Sequence, residues 1–294
     1  MRVLTKSAVA LAAASILILG GCSADAEPAQ QSDRIVDEDA RALLPQSIID
    51  SGVIAVVTDP SHPPFEFIDE NDRIVGINAE LAQAVAEVLG VEIVWETTDF
   101  AGLITGISSK RYDASIVAMF DTTARQEQID FVDNYIDALK IIVPEGNPLS
   151  IVDLPDFCGR TISTLQGSVM LDMLEEYQSN CSTPMEITVA ATTSEQLLWL
   201  DTGRADASIA NGTVTQYSID QRGASGIEVV HENSFMENYY GWGIHKDNVG
   251  LRDAFVAALN ILIADGTYAE ILTKWGASDA NHVEEAIVNG GGTL

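Results

Sequence analysis

Two six-residue stretches, Arg111-Tyr112-Asp113-Ala114-Ser115-Ile116 and Arg204-Ala205-Asp206-Ala207-Ser208-Ile209, decide how this chain is read. Each follows a helix-like run and opens a strand-like one, so the same structural phrase has been laid down twice, which is the mark of two similar lobes. Outward from the first copy, strand patterns at Val53 to Thr58, Val91 to Glu96 and Ala114 to Met119 alternate with helix patterns at Asn78 to Leu89 and Phe100 to Ser109. Around the second, strands near Thr161 to Thr164, Glu186 to Ala190 and Ala207 to Ala210 alternate with helices near Ser168 to Asn180 and Ser194 to Thr202. Such alternation predicts an α/β chain with largely parallel strands. Ligands of open α/β sheets lie beyond the carboxyl ends of the strands, which places Met119 to Thr122 and Ala210 to Thr213 at a shared cleft.

The N-terminus sets the address. Arg2 and Lys6 precede an apolar run from Ala8 to Leu19, the layout of a secretory signal and too short for a comfortable membrane span. The run ends in Leu19-Gly20-Gly21-Cys22-Ser23, which resembles a bacterial lipobox; residues 1–21 are then the signal peptide and Cys22 is the lipid-bearing first mature residue. An ordinary cleaved signal peptide with an incidental cysteine is the alternative. Residues 22–46, rich in Ala, Gln, Pro, Asp and Glu, read as a flexible tether. The expected location is extracytoplasmic, on the outer face of the cell membrane. There, the two remaining cysteines, Cys158 and Cys181, are expected to form a disulfide.

The formal charge is −29, and losing residues 1–21 removes Arg2 and Lys6 but no acid. Nucleic acid and anionic headgroups are therefore poor partners. The acids are scattered, as on a solvated surface. His62, His231, His245 and His282 are dispersed, with no Cys/His spacing of a metal site, and no cofactor is expected.

Three stretches carry a resemblance to the family 3 extracellular solute-binding proteins. They are Thr58 to Phe67 with Gly76 to Ala82; Tyr112 to Arg125 with Asp130-Phe131-Val132; and Asp265 to Ile271 with Lys274-Trp275. The resemblance runs from about Pro45 to Gly276. It implies a two-lobed periplasmic-binding-protein fold of type II, with two hinge strands and a ligand enclosed when the lobes close. Lobe 1 is expected at 47–138 and 241–280, lobe 2 at 139–240, and a mobile tail at 281–294. The helices at Val249 to Ala264 and Thr267 to Trp275 should return to lobe 1.

The resemblance also implies a site. Arg125, just inside a helix opened by Asp121-Thr122-Thr123, is the expected clamp for a ligand carboxylate, because a guanidinium fork can hold one bidentately. Gln166-Gly167-Ser168-Val169 should supply donors from lobe 2, although Ser168 would serve equally as a helix cap. His62, Phe100 and Phe120 are expected as aromatic walls, and Phe65 as a wall or, more simply, a core residue. Amino-acid receptors of the family usually carry a small hydroxyl residue where this chain has Phe120 and a carboxylate where it has Asn211. Both departures suit a compatible solute of the ectoine or betaine kind, whose cation meets π faces, though Glu66 or Asp121 could supply a missing charge to an amino acid.

The expected function is the substrate-binding component of an ABC importer for a polar amino acid or similar small zwitterion, working as a monomer with a membrane permease. A signalling receptor is a further reading. A periplasmic dehydratase is the least favoured: it would need a cleft carboxylate as acid or base, and Glu66, Glu175 and Glu237 read as surface or cap residues.

Overall fold

The computed structural model describes residues 35–222 and 226–292. Lobe 1 is built from α1 (Glu38–Arg41), α2 (Gln46–Ser51), β1 (Val53–Thr58), β2 (Ser61–His62), β3 (Glu66–Ile68), β4 (Ile74–Val75), α3 (Ile77–Leu89), β5 (Glu92–Thr97), α4 (Leu103–Ser108), β6 (Ala114–Ser115) and α5 (Thr123–Gln126). The long strand β7 (Asp130–Pro144) leads into lobe 2, which holds β8 (Thr161–Leu165), α6 (Val169–Tyr177), β9 (Glu186–Ala190), α7 (Thr193–Asp201), β10 (Ala207–Asn211) and α8 (Gly212–Arg222). A second long strand, β11 (Ile227–Ile244), returns to α9 (Val249–Asp265), α10 (Thr267–Lys274) and β12 (Ile287–Val288).

The main sheet runs β5-β1-β6-β11-β7-β10-β8-β9, with β12 added on β7. Within each lobe the other strands of this sheet pair in parallel, but β7 and β11 are antiparallel to each other and to their neighbours, and β2, β3 and β4 form a separate antiparallel sheet in lobe 1. The sheet is thus mixed, not largely parallel as expected. The difference lies in two strands of fifteen and eighteen residues, which cross from lobe to lobe. The expected boundaries at 138/139 and 240/241 fall inside these two strands.

The repeated phrase has a structural meaning. Asp113 accepts the Ala55 amide at 2.8 Å and Asp206 accepts the Thr161 amide at 2.9 Å, so each aspartate pins its strand to the first strand of its own lobe. Each strand then has a crossing strand on its other side, β11 beside β6 and β7 beside β10. The first copy is shorter than expected, because regular pairing ends at Ser115 and the chain continues to Phe120, where it forms an isolated bridge to Tyr240 of β11.

The core of lobe 1 packs Leu81, Val85, Leu89, Phe255, Leu259 and Leu262 from α3 and α9 against the sheet. No single helix among the described residues is long and apolar enough to cross a membrane. The predicted disulfide is present between Cys158 and Cys181, at a Cα separation of 5.3 Å.

Two expectations about the chain's ends need correction. Residues 35–46, assigned to the tether, are folded onto lobe 1: Ala40 and Leu44 are buried, and Arg41 donates to the carbonyls of Leu89 and Gly90 at 2.6 Å each. Cys22 and the signal segment lie outside the described residues. At the other end, residues 281–292, assigned to a mobile tail, run along β7 and contribute β12. The tail buries Val283 and Ala286 against α9 and α10, a tertiary gain that its acidic, glycine-ending sequence does not advertise.

Candidate ligand-binding site

The carboxyl ends of the two sets of strands meet, and between them His62, Phe100, Ala118, Phe120 and Arg125 from lobe 1 face Leu165, Ser168, Val169, Met170 and Asn211 from lobe 2. The space they enclose is about 10 Å³, so the lobes are in contact. Of the eight predicted ligand-contacting residues, only Phe65 is absent from this lining. It sits behind the wall, buried, with its ring edge-on to Tyr135 at 4.9 Å and Tyr240 at 5.4 Å.

Arg125 is the electrostatic centre. Thr122 caps α5 by accepting the Arg125 amide, and this four-residue helix aims the guanidinium into the lobe interface, where it is 8% exposed. Nη1 donates to the Phe120 carbonyl at 2.8 Å and Nη2 to the Gly167 carbonyl at 3.2 Å, joining lobe 1 to lobe 2. Burial pulls its pKa down to about 10, against the opposing pull of Asp172 and Asp121, so it remains a cation at neutral pH. A cation held by carbonyls alone can exchange a neutral partner for a carboxylate, the stronger acceptor.

The aromatic walls meet this cation. The Phe100 ring lies 5.7 Å from the Arg125 guanidinium carbon and 5.5 Å from the His62 ring. Asp59 fixes Phe100 by accepting its amide at 3.0 Å. Burial lowers the His62 pKa, with Asp59 opposing, so the imidazole is biased toward neutrality. Phe120 packs on Tyr240 at 4.5 Å.

Ser168 performs the capping role. Its hydroxyl accepts the Leu171 amide at 3.3 Å and donates to the Leu165 carbonyl at 2.7 Å, while the residue itself lines the interface.

Asn211 ends β10 and donates from Nδ2 to the Tyr240 hydroxyl, which donates in turn to Asp137 at 3.1 Å. Asp137 is buried, takes the Thr213 amide at 3.3 Å, and is pushed up to about 6 by burial. The relay Asn211–Tyr240–Asp137 thus connects the lining to an acid that sequence reasoning missed. So were Asp59, Tyr135 and Tyr240. Asp59, in the quoted Thr58-Asp59-Pro60 stretch at the end of β1, had a local signal. Asp137 and Tyr240 had none, because they meet only through the antiparallel register of β7 and β11.

Glu66 needs a correction, since it is neither a surface nor a cap residue. It is fully buried, accepting from Asn78 at 2.7 Å and from the Ala118 amide at 3.2 Å, and burial raises its pKa well above the carboxylate range. Glu175 and Glu237 are exposed. Among the described residues no group of three or more His, Cys, Asp or Glu could hold a metal ion.

A two-lobed α/β chain joined by two crossing strands, with a buried arginine and aromatic walls between the lobes, has the architecture of a solute-binding receptor that closes by hinge motion. The sequence pattern of the bacterial extracellular solute-binding proteins, family 3, matches residues 54–278, and the chain belongs to that family. Similar proteins include the arginine-binding protein ArgT of Corynebacterium glutamicum, 26% identical over 85% of this chain and 82% of the relative. The lysine/arginine/ornithine-binding periplasmic protein of Escherichia coli K12 is 28% identical over 80% of this chain and 89% of its own length. Among solved structures, an ancestral arginine-binding protein bound to arginine superposes with a TM-score of 0.71 at 31% identity, covering 77% of this chain and 99% of that one.

Proposed function

We propose that this protein captures a polar amino acid or similar small zwitterion outside the cytoplasm, anchored by lipid on Cys22, and delivers it as a monomer to the permease of an ABC importer. The observation that carries this reading is Arg125: a buried guanidinium, charged at neutral pH, whose present partners, two backbone carbonyls, belong to different lobes. A ligand carboxylate would take their place, with the first turn of α6 at Ser168 and Val169 supplying donors from lobe 2. The ligand's cationic end would lie against Phe100, Phe120 and Asn211, backed by the Tyr240–Asp137 relay. That both named relatives and the superposed structure are arginine binders supports an amino acid. A binding protein rather than a dehydratase fits the interface, because the buried acids Glu66 and Asp137 are each held by donors within the protein wall.

The aromatic lining and the amide at Asn211 favour a second ligand class, a compatible solute of the ectoine or betaine kind, whose diffuse cation is stabilised by π faces. Thermal shifts of the mature protein with the proteinogenic amino acids, ectoine and glycine betaine separate the two. An amino-acid response means that the Asn211 relay serves an ammonium group. A response confined to the solutes means that the aromatic wall selects. Arg125→Ala is expected to abolish the response while circular dichroism stays native. Undiminished binding by that variant would remove the clamp from the mechanism.

A further inference from the structure

The family pattern ends at residue 278, yet the chain continues to Gly292 in a fixed course along the first crossing strand. Asn281 donates to the Ile136 carbonyl at 2.7 Å, the Val283 amide to the Tyr268 hydroxyl at 3.1 Å, and the Ala286 amide to Asn260 at 2.8 Å. Ile287 and Val288 then pair with Asp133 and Val132. Asn289 grips the start of β7 three times: its Oδ1 accepts the Phe131 amide at 2.8 Å, its amide donates to the Phe131 carbonyl at 3.1 Å, and its Nδ2 donates to Asp130 at 3.1 Å.

Beyond Asn289, the run Gly290-Gly291-Gly292 leaves the sheet for the loop that carries Arg125. The Gly290 amide donates to Asp133 at 2.7 Å, and the Gly291 amide to Asp121 at 2.8 Å. The Gly291 carbonyl accepts Gln126 Nε2 at 3.0 Å, and the Gly292 carbonyl accepts the Thr123 amide at 3.3 Å. Gln126 also donates to both oxygens of Asp121, and Asn238 of the second crossing strand donates to the Asp121 carbonyl at 2.7 Å. Only glycine fits at 291, because a Cβ there would collide with the Asp121 carbonyl and approach the Asp121 Cβ to 2.7 Å.

We propose that residues 287–292 are a clasp that positions Arg125 for ligand capture, fastening the loop from Phe120 to Gln126 to both crossing strands. The proposal rests on Arg125 being the ligand clamp. The hydrogen bonds of the clasp described above go to none of the residues that line the interface. Its bonds close on Asp121, Thr123 and Gln126, which flank Arg125, while the arginine's own anchor, the Phe120 carbonyl, is the residue before Asp121. A helix of only four residues gives little internal support, so the arginine's aim is set by what holds the loop. Because the clasp grips β7 directly and β11 through Asn238, bending of the crossing strands on closure is passed to the clamp.

The test compares the mature protein with a form ending at Ala286 and with Gly291→Val, each titrated with L-arginine, L-glutamine and glycine betaine. Backbone hydrogen exchange is read over residues 120–129. Loss of the clasp is expected to speed exchange there, leave β8 and β9 unchanged, and weaken binding by about 5-fold to 150-fold, the usual range for coupled sites. A peptide of residues 283–294 added to the truncated form should restore slow exchange and affinity, and the same peptide carrying Gly291→Val should not. If truncation prevents folding, the point variant decides. A merely structural tail would lower the melting midpoint and leave the affinity measured below it unchanged, which overturns the proposal. If Arg125→Ala binds the same ligand as tightly as the wild type does, the clamp reading itself has failed, and the clasp proposal falls with it.

Discussion

At the scale of single residues, the distribution of buried charge sets both binding and pH response. Arg125 stays ionised at neutral pH because burial lowers its pKa only to about 10, and its hydrogen bonds go to two neutral carbonyls, which leaves its charge available to an incoming anion. Asp133 is the opposite case. Burial and the Asp121 carboxylate that faces it push it up, to about 8, against the Gly290 amide, which favours the charged form. Asp121 itself is raised by burial and drawn back by Gln126, the Gly291 amide and Arg125. A carboxyl whose folded pKa lies above its unfolded value holds a proton that the unfolded chain releases. Its contribution is therefore greatest in acid and is lost as pH climbs from about 4 toward 8. His62, lowered by burial, works the other way below its ordinary range, so the total curve mixes signs. The comparison of wild type with Asp133→Asn isolates the aspartate. Urea unfolding should show the wild type gaining on the variant between pH 8 and pH 5, by up to about tenfold in folding constant per pH unit. A difference that stays constant with pH would show that Asp133 is ionised in the fold.

Among elements, lobe 2 depends on a covalent tie that lobe 1 lacks. Cys158 comes directly after the turn Leu154–Phe157 and Cys181 after α6, so the disulfide closes a loop of 23 residues containing β8 and the helix whose first turn lines the interface. Closing a loop of that length stabilises by about 3 kcal/mol through the unfolded chain. Replacing both cysteines by serine should therefore lower the stability of the protein by that order in chemical denaturation, and should leave ligand affinity nearly unchanged at temperatures where the fold survives. An unchanged unfolding midpoint would show that the loop is already constrained when unfolded. The crossing strands are the other decisive elements. They bring Tyr135, Asp137 and Tyr240 together behind Asn211, and they carry the strap that ends beside Arg125.

For the whole molecule, the contact between lobes is the functional variable, and Gly167 marks it. Its φ of +72° is left-handed, and a Cβ at this position would stand 3.0 Å from both Cα and Cβ of Ala101 in the facing lobe. Only glycine satisfies the turn and the approach together. Gly167→Ala should hold the lobes slightly apart. Small-angle scattering with the best ligand from the thermal screen should show a smaller decrease in radius of gyration than in wild type, with affinity reduced about tenfold or more, as for other coupled steps. Full compaction in the variant would mean that closure does not need this approach.

Much of this organisation was legible beforehand. The twin phrases at 111–116 and 204–209 announced two like lobes because each aspartate pins the start of its strand to the first strand of its own lobe, and that arrangement repeats. The helix starts at Arg125 and Ser168 were legible because strand ends and helix caps have local signatures, whereas their expected roles came from the resemblance to the family. The flanking Cys158 and Cys181 could be paired from their number and their compartment. The tertiary structure alone decided the mixed sheet, the folding of residues 35–46 and 281–292 onto lobe 1, the burial of Glu66, and the Asn211–Tyr240–Asp137 relay. Each of these depends on partners outside the local stretch, and the relay and the C-terminal segment are brought into register by the two crossing strands. Local periodicity reports which face of an element is apolar, whereas the register of long antiparallel strands is fixed only when both lobes have packed.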